Sequence, residues 1–412
     1  MRRGLSALAC ALATALAAGC AAGDESLLSG PPVLHWYVGP DRVDAPTLAE
    51  RCEDEAGGRY TVEVSRLPDD AADRRAELIG RLEARDPTID LFSMDLSLSQ
   101  ELAAAQVLAP VPEDLKEPFA EDVAPAALEA ATVDGLLVAA PWWFDPYLLW
   151  WRGATAERAG LDPTAPIAWD DLIEAAGRTG QPIGFDDTDG DALGAWLTAL
   201  LEAAGGMPLL DGAGRDARVG VDSPAGKRVA DVVSSLSAAR AGEGPSASAP
   251  AALARRGGFL LAPSSLVADG DVALVAADLQ WAGFPVLDDD EDAVPAVGTA
   301  LAVPLYAPRT DLSYDLVSCL TSSDSLAALM TSSGHSAADL GTYEVEAVQE
   351  GYPLTDVVLP ALERAVTVPA SAHWAQVRAA LERAWLPFGA VGAGTPAVSA
   401  RDIAARLRGE LP

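Results

Sequence analysis

The chain has 412 residues, half of them apolar, and a formal charge of −33. That length exceeds what one hydrophobic core ordinarily holds and predicts two lobes, while the composition excludes a disordered chain. The acidity excludes a nucleic-acid binder, which needs a basic face. Asparagine is absent altogether, so N-linked glycosylation is excluded and any amide contact to a ligand must come from Gln or the backbone.

The first residues read as a targeting segment. Arg2 and Arg3 give a charged start, and residues 5–18 are an apolar run too short to span a membrane stably. Leu16-Ala17-Ala18-Gly19-Cys20 reads as a bacterial lipobox. Residues 1–19 are then a signal peptide, Cys20 carries the lipid, and 20–30 are a small-residue tether at the outer face of the cell membrane. An ordinary cleaved signal with a chance cysteine is the alternative. With Cys10 in the leader and Cys20 lipidated, Cys52 and Cys319 remain. An exported compartment permits a bridge between them, and two buried thiols is the other reading.

Residues 33–38 read as a short buried strand ended by Gly39-Pro40, with Asp41 directly behind it. A helix over about 46–56 stops at Gly57-Gly58. A strand over 60–65, a helix over 71–85 and a strand over 89–94 follow, the last ending at Asp95. This alternation predicts a parallel α/β sheet. In such sheets ligands bind beyond the carboxyl ends of the strands, which makes Asp41 and Asp95 site candidates; the competing role for each is a helix N-cap.

After a short helix over 100–107 and the Pro-rich 108–112, the chain reaches Pro-Trp-Trp-Phe-Asp-Pro-Tyr-Leu-Leu-Trp-Trp-Arg at 141–152, which holds four of its ten tryptophans around Asp145. Aromatic faces cover the C–H face of a sugar, and a carboxylate accepts from two hydroxyls at once. A core closed by aromatics is the plain alternative. The Asp-rich run 186–191 fails the calcium-loop register, because placing Gly190 at loop position six puts Phe185 at position one. It reads as a solvated loop, as does 288–292. Helices are expected over 193–204 and 224–241, then a flexible segment to about Pro250, a strand over 271–275 followed by Gln280-Trp281, and a strand over 297–303. Helices over 315–321, 325–331, 357–365, 374–385 and 399–411 complete the chain. His35 reads as a strand residue, and His335 and His373 are too scattered to make a metal site. No metal or cofactor is expected.

The order of these parts resembles the family-1 extracellular solute-binding proteins of ABC importers. The resemblance is carried by the lipobox, the Ile89-Asp90-Leu91-Phe92 strand, Pro141-Trp142…Asp145…Leu149-Trp150-Trp151-Arg152, Gly270-Asp271-Val272-Ala273-Leu274-Val275…Trp281, the return segment 298–303, Cys319-Leu320-Thr321-Ser322 and Val368-Pro369…Trp374…Thr395-Pro396. It spans nearly all of the mature chain. Within the carbohydrate branch, Cys52…Gly57-Gly58-Arg59-Tyr60-Thr61 together with Cys319 is similar to the trehalose-binding lipoproteins of mycobacteria and their trehalose/maltose relatives.

The resemblance implies an α/β, two-lobe periplasmic-binding-protein-like fold (type II) with a ligand cleft between the lobes and a hinge of crossing segments. One lobe would be 31–144 with 298–350, the other 145–297 with 351–412. Both cysteines then fall in one lobe, which supports the bridge. The implied ligand contacts are Asp41, Asp95, Asp145, Gln280, Trp281 and Trp374. Trp142, Trp143, Trp196 and Glu202 are weaker candidates that read equally as wall, core or solvated helix face. Val368 stands where trehalose-binding relatives often carry Arg. The implied partners are a carbohydrate, such as the α-linked disaccharides trehalose or maltose, and the permease subunits of an ABC importer, for a monomer held to the membrane by lipid alone. No enzymatic step is implied. Rival readings are a non-sugar ligand or receptor role on the same fold, and a glycoside hydrolase, which needs two carboxylates about 5–10 Å apart. If Trp281 anchors the sugar, Trp281→Ala is expected to weaken binding by roughly 2–4 kcal/mol in a calorimetric titration.

Overall fold

A computed structural model of the protein describes residues 30–187, 191–212, 214–239, 242–246, 248–287 and 293–411. The expected leader, Cys20 and its tether up to residue 29, part of the acidic loop (188–190) and the 288–292 turn lie outside them. Among the described residues no helix is long and apolar enough to cross a membrane.

A ten-stranded mixed sheet organises the described chain. Its strands are β1 (Val33–Val38), β2 (Thr61–Arg66), β3 (Leu91–Asp95), β4 (Ala140–Arg152), β5 (Ile183–Phe185), β6 (Gly242–Pro245), β7 (Phe259–Pro263), β8 (Leu279–Ala282), β9 (Val294–Ala302) and β10 (Ala365–Val366). The hydrogen-bonded order is β6-β5-β7-β4-β9-β3-β1-β2, with β8 on β4 and β10 on β9. The expected parallel sheet holds for β1 with β2 and β3, and for β5 with β6 and β7. The long crossing strands β4 and β9 run antiparallel to each other, and each to its other long neighbour. The helix that follows β1, Ala45–Ala56, is capped by the Asp44 side chain at the Thr47 amide and ends at Gly57 in the left-handed region.

β4 makes the sheet one object with two halves. Up to Pro146 it pairs with β9, and from Tyr147 onward with β7 and then β8. Proline carries no amide hydrogen, so Pro146 suits a place where the ladder changes partner. Successive side chains alternate across the sheet. Leu148 and Trp150 join one buried cluster, whereas Tyr147, Leu149 and Trp151 join the other. The first cluster gathers the β1–β3 half with Trp36, Phe92 and Trp142, and the second gathers Trp169, Trp196, Trp385 and Phe388. Two cores on one crossing sheet fit a two-lobe architecture, and the first core also reaches into the far half through Leu260, Ala262, Leu266 and Leu279. A Cβ at Gly298 would lie 2.6 Å from the Trp143 carbonyl oxygen, so only glycine lets β9 approach β4 this closely.

Two local expectations are corrected. Residues 271–275 are not a strand: Gly270–Ala273 is a helical turn, because the Asp269 side chain accepts from the amides of Asp271 and Val272. Leu274 is accordingly 92% exposed. The strand of this region is β7, an unbroken apolar run buried on both faces, which periodicity alone cannot distinguish from helix. The segment read as flexible before Pro250 instead contains β6 and leads into a helix over Ala249–Arg256.

Cys52, on helix Ala45–Ala56, and Cys319, on helix Thr310–Leu320, form a disulfide across a sequence separation of 267. Closing so long a loop restricts the unfolded chain. Reduction, or Cys52→Ala with Cys319→Ala, is expected to lower stability by about 2–4 kcal/mol, read from urea melts with and without reductant.

Candidate functional site

The carboxyl ends of β1 and β3 in one half of the sheet face the end of β7 in the other, and β4 passes beneath them. The cavity they enclose is about 200 Å³. One wall comes from the first half, with Asp41, Arg74 and Asp95. The opposite wall carries Asp186, Ser265 and Asp269, and the floor is Trp143, Asp145, Thr299 and His335.

Asp145 sits at the step where β4 changes partners, opposite Val297 of β9, and is 1% exposed. Its Oδ1 accepts from the Ser336 amide at 2.7 Å and from Ser264 Oγ at 3.1 Å. Its Oδ2 accepts from His335 Nδ1 at 2.7 Å. Ser264 and Ser336 hydroxyls lie 2.6 Å apart, and Ser336 Oγ lies 2.9 Å from the Tyr352 hydroxyl. With Ser264 donating to the carboxylate, the protons run one way, from Tyr352 through Ser336 and Ser264 to Asp145. Burial raises the pKa of the Tyr352 hydroxyl and keeps it a donor.

The turn that brings His335 there follows helix Ser323–Ser333 and is closed by Gly334 at φ 75°. A Cβ at Gly334 would lie 2.8 Å from Val267, so this turn needs glycine. Beyond it the backbone is stitched to β4 by Phe144 N–H to Ser336 O (2.8 Å) and Ala338 N–H to Trp142 O (3.1 Å). The His335 ring stacks on Trp143, with centroids 4.1 Å apart.

Among the described residues, His335 Nε2, Trp143 Nε1 and Asp41 Oδ1 are buried on the cavity lining without a hydrogen-bond partner. A sealed polar atom without a hydrogen bond is costly, so these three define what a ligand would satisfy. Since His335 Nδ1 donates to a carboxylate, Nε2 of the neutral ring is an acceptor. The indole N–H is a donor. Asp41 is partly exposed as a residue, yet burial of its carboxyl lifts the pKa from 3.8 to about 6, against lowering by His335, the Val43 amide and Arg66.

Two ion pairs complete the walls. Arg42, on the loop after β1, meets Asp269 at 2.8 Å and also reaches Ser265, so it spans from one half of the sheet to the other. Arg74 meets Asp95 at 3.3 Å. Asp95 also borders a neighbouring crevice with Asp191, Trp374 and Arg378. There Trp374 Nε1 donates to Asp191 Oδ1 at 2.7 Å. Burial raises the pKa of Asp191 and raises that of Asp187 to about 7.

The sequence-derived candidates therefore separate. Asp41, Asp95, Asp145 and Trp143 come together in the cavity, and Trp374 borders the adjoining crevice. Gln280 is exposed on β8 with its amide on its own neighbour's carbonyl, Leu279 O. Trp281 is half-buried against Trp150, with centroids 5.8 Å apart, and neither of the two lines the cavity. Trp142 is fully buried, donating to Leu320 O and packing on Trp36. Trp196 sits in the second core between Trp169, Phe185 and Phe388. Glu202 is exposed at the end of helix Ala192–Ala203. His335, Ser264, Ser265 and Arg42 were missed. The available signal for His335 was the glycine just before it, placed to end a helix and turn the chain inward.

Residues 47–352 match the family described as bacterial extracellular solute-binding protein, and the chain belongs to it. Its fold is similar to that of maltose-bound T. maritima MalE3, at 19% identity and a TM-score of 0.77 over 92% of this chain and 100% of that one. It is also similar to the GacH receptor of Streptomyces glaucescens, solved unliganded and with acarbose (20% identity, TM-score 0.74, 93% and 100% covered). A third likeness is the cyclic α-maltosyl-1,6-maltose binding protein of Arthrobacter globiformis (19%, 0.74, 92% and 100%). These likenesses concern the fold.

A carboxyl whose pKa is raised by folding favours the folded state while protonated, and that contribution is lost as pH rises through the folded value. For Asp41 the window runs from 3.8 to about 6. Asp41→Asn is expected to stabilise the unliganded protein by about 1–2 kcal/mol near pH 7.5, with the gain vanishing towards pH 4, in urea melts across that range.

Proposed function

We propose that the protein is the ligand-binding component of an ABC importer, anchored outside the membrane through Cys20 and taking up a carbohydrate between its two lobes. The lobes are 31–144 with 298–350 and 145–297 with 351–412. The observation that carries this reading is the cavity itself. It is walled from both halves of the sheet, floored by an aromatic ring, and leaves two acceptors and one donor without partners. Hydroxyls of a sugar supply both complements, and the Trp143 ring covers a C–H face.

Ligand bridging both walls favours the closed arrangement over the open one. The Arg42–Asp269 pair is one direct contact that would hold that closure. The closed form is what the permease would receive. The ligand set is Asp41, Asp95, Trp143, His335 and Trp374, with Asp145 acting through the orientation of His335. Gln280 and Trp281 join it only if the sugar extends past the cavity to β8. An α-linked disaccharide such as trehalose or maltose is the proposed ligand class.

The test is calorimetry and thermal shift on the mature chain with Cys20→Ser, against trehalose, maltose, sucrose, longer oligosaccharides and monosaccharides. One saturable α-linked disaccharide is expected, raising the melting temperature with concentration. His335→Ala is expected to weaken it by roughly tenfold or more. Absence of a shift with every sugar, or full affinity in His335→Ala, would contradict the assignment.

A further inference from the structure

The sugar-binding reading leaves the charge of the ligand open, and the balance of charge in the cavity bears on it. The lining carries five carboxylates, Asp41, Asp95, Asp145, Asp186 and Asp269, against the guanidiniums of Arg42 and Arg74 and the imidazole of His335. Both guanidiniums are already engaged, Arg42 with Asp269 and Arg74 with Asp95, and the His335 imidazole is bonded to Asp145. Among the described residues Asp41 has no such ion pair. The titratable groups facing it are His335, Arg66 and Asp95. Arg66 spends its guanidinium hydrogens on the carbonyls of Gly39, Asp41 and Val43.

The orphaned atoms have a matching bias. Asp41 Oδ1 and His335 Nε2 are acceptors, and only Trp143 Nε1 is a donor. His335 is 4% exposed and Trp143 7%. A neutral hydroxyl can bond to Asp41 but leaves its charge in place. A protonated amine offers several donors, no acceptor, and the countercharge, and a charge-assisted bond is about twice as strong as a neutral one. We infer that the preferred ligand is a sugar bearing a protonated amine, an amino sugar or an amine-linked pseudo-oligosaccharide, with the ammonium seated between Asp41 Oδ1 and His335 Nε2. This deepens the proposed function and rests on it. The remaining hydroxyls of such a ligand accept from Trp143 Nε1.

The experiment compares pairs that differ by the amine: trehalosamine with trehalose, and 2-amino-2-deoxymaltose with maltose. Calorimetry is run on the mature Cys20→Ser chain near pH 7.5. In at least one pair the amine member is expected to bind roughly tenfold more tightly. In Asp41→Asn the ratio is expected to fall to about one, with the thermal melt confirming that the variant is folded. Equal affinities within both pairs, or a preference that persists in Asp41→Asn, would overturn this inference alone. Failure of all four sugars to bind would overturn the sugar reading and the inference together.

Discussion

The carboxylate of Asp145 is the constraint on which the rest of the site depends. It is sealed at the step where β4 leaves one half of the sheet for the other, and it holds three donors from two distant segments, 264 and 335–336. A buried charge is tolerable only when its lone pairs are this well filled. In return it fixes the tautomer and orientation of His335, and so leaves Nε2 as the reactive edge of the ring. The sequence marks Asp145 as a direct sugar contact. The geometry places it in the cavity floor with both carboxyl oxygens held by protein donors, and His335 and Trp143 beside it.

The same arrangement explains why the cavity lies where it does. β1 leads into the loop bearing Asp41, β3 ends at Asp95, and β7 leads into the serines and Asp269 of the other wall. β4 and β9 belong to both halves, so a rotation about them would change the gap between these walls. Arg42 reaches across that gap to Asp269. Two cores that share crossing strands, with polar loops between them, suit a protein that must open and close.

Much of this was legible from the chain. Strand–helix alternation over residues 33–95 is strongly periodic, and Gly57-Gly58 and the two acids behind β1 and β3 fell where expected. The Cys52–Cys319 disulfide agrees with the pairing the family resemblance favoured, where the cysteine count alone left two free thiols open. What was hidden has physical reasons. β7 is apolar on both faces and carries no alternation, so the strand was sought at 271–275, where an Asp269 cap in fact starts a helical turn. Gln280 and Trp281 were expected in the cleft because the family resemblance implies them, and Ser264, Ser265 and Asp269 carry no local pattern that marks them. Gly334 marks a turn before His335, but the pairing with Asp145 was hidden because that partner lies 190 residues earlier.

The most direct test is hydrogen–deuterium exchange of the mature chain with and without a saturating sugar from the proposed class. The account predicts slowed exchange in four separated stretches together: the loops after β1 and β3, the Trp143–Asp145 step, the 263–269 segment and the 334–336 turn. Protection confined to the β8 face around Gln280 and Trp281, or none anywhere, would contradict it.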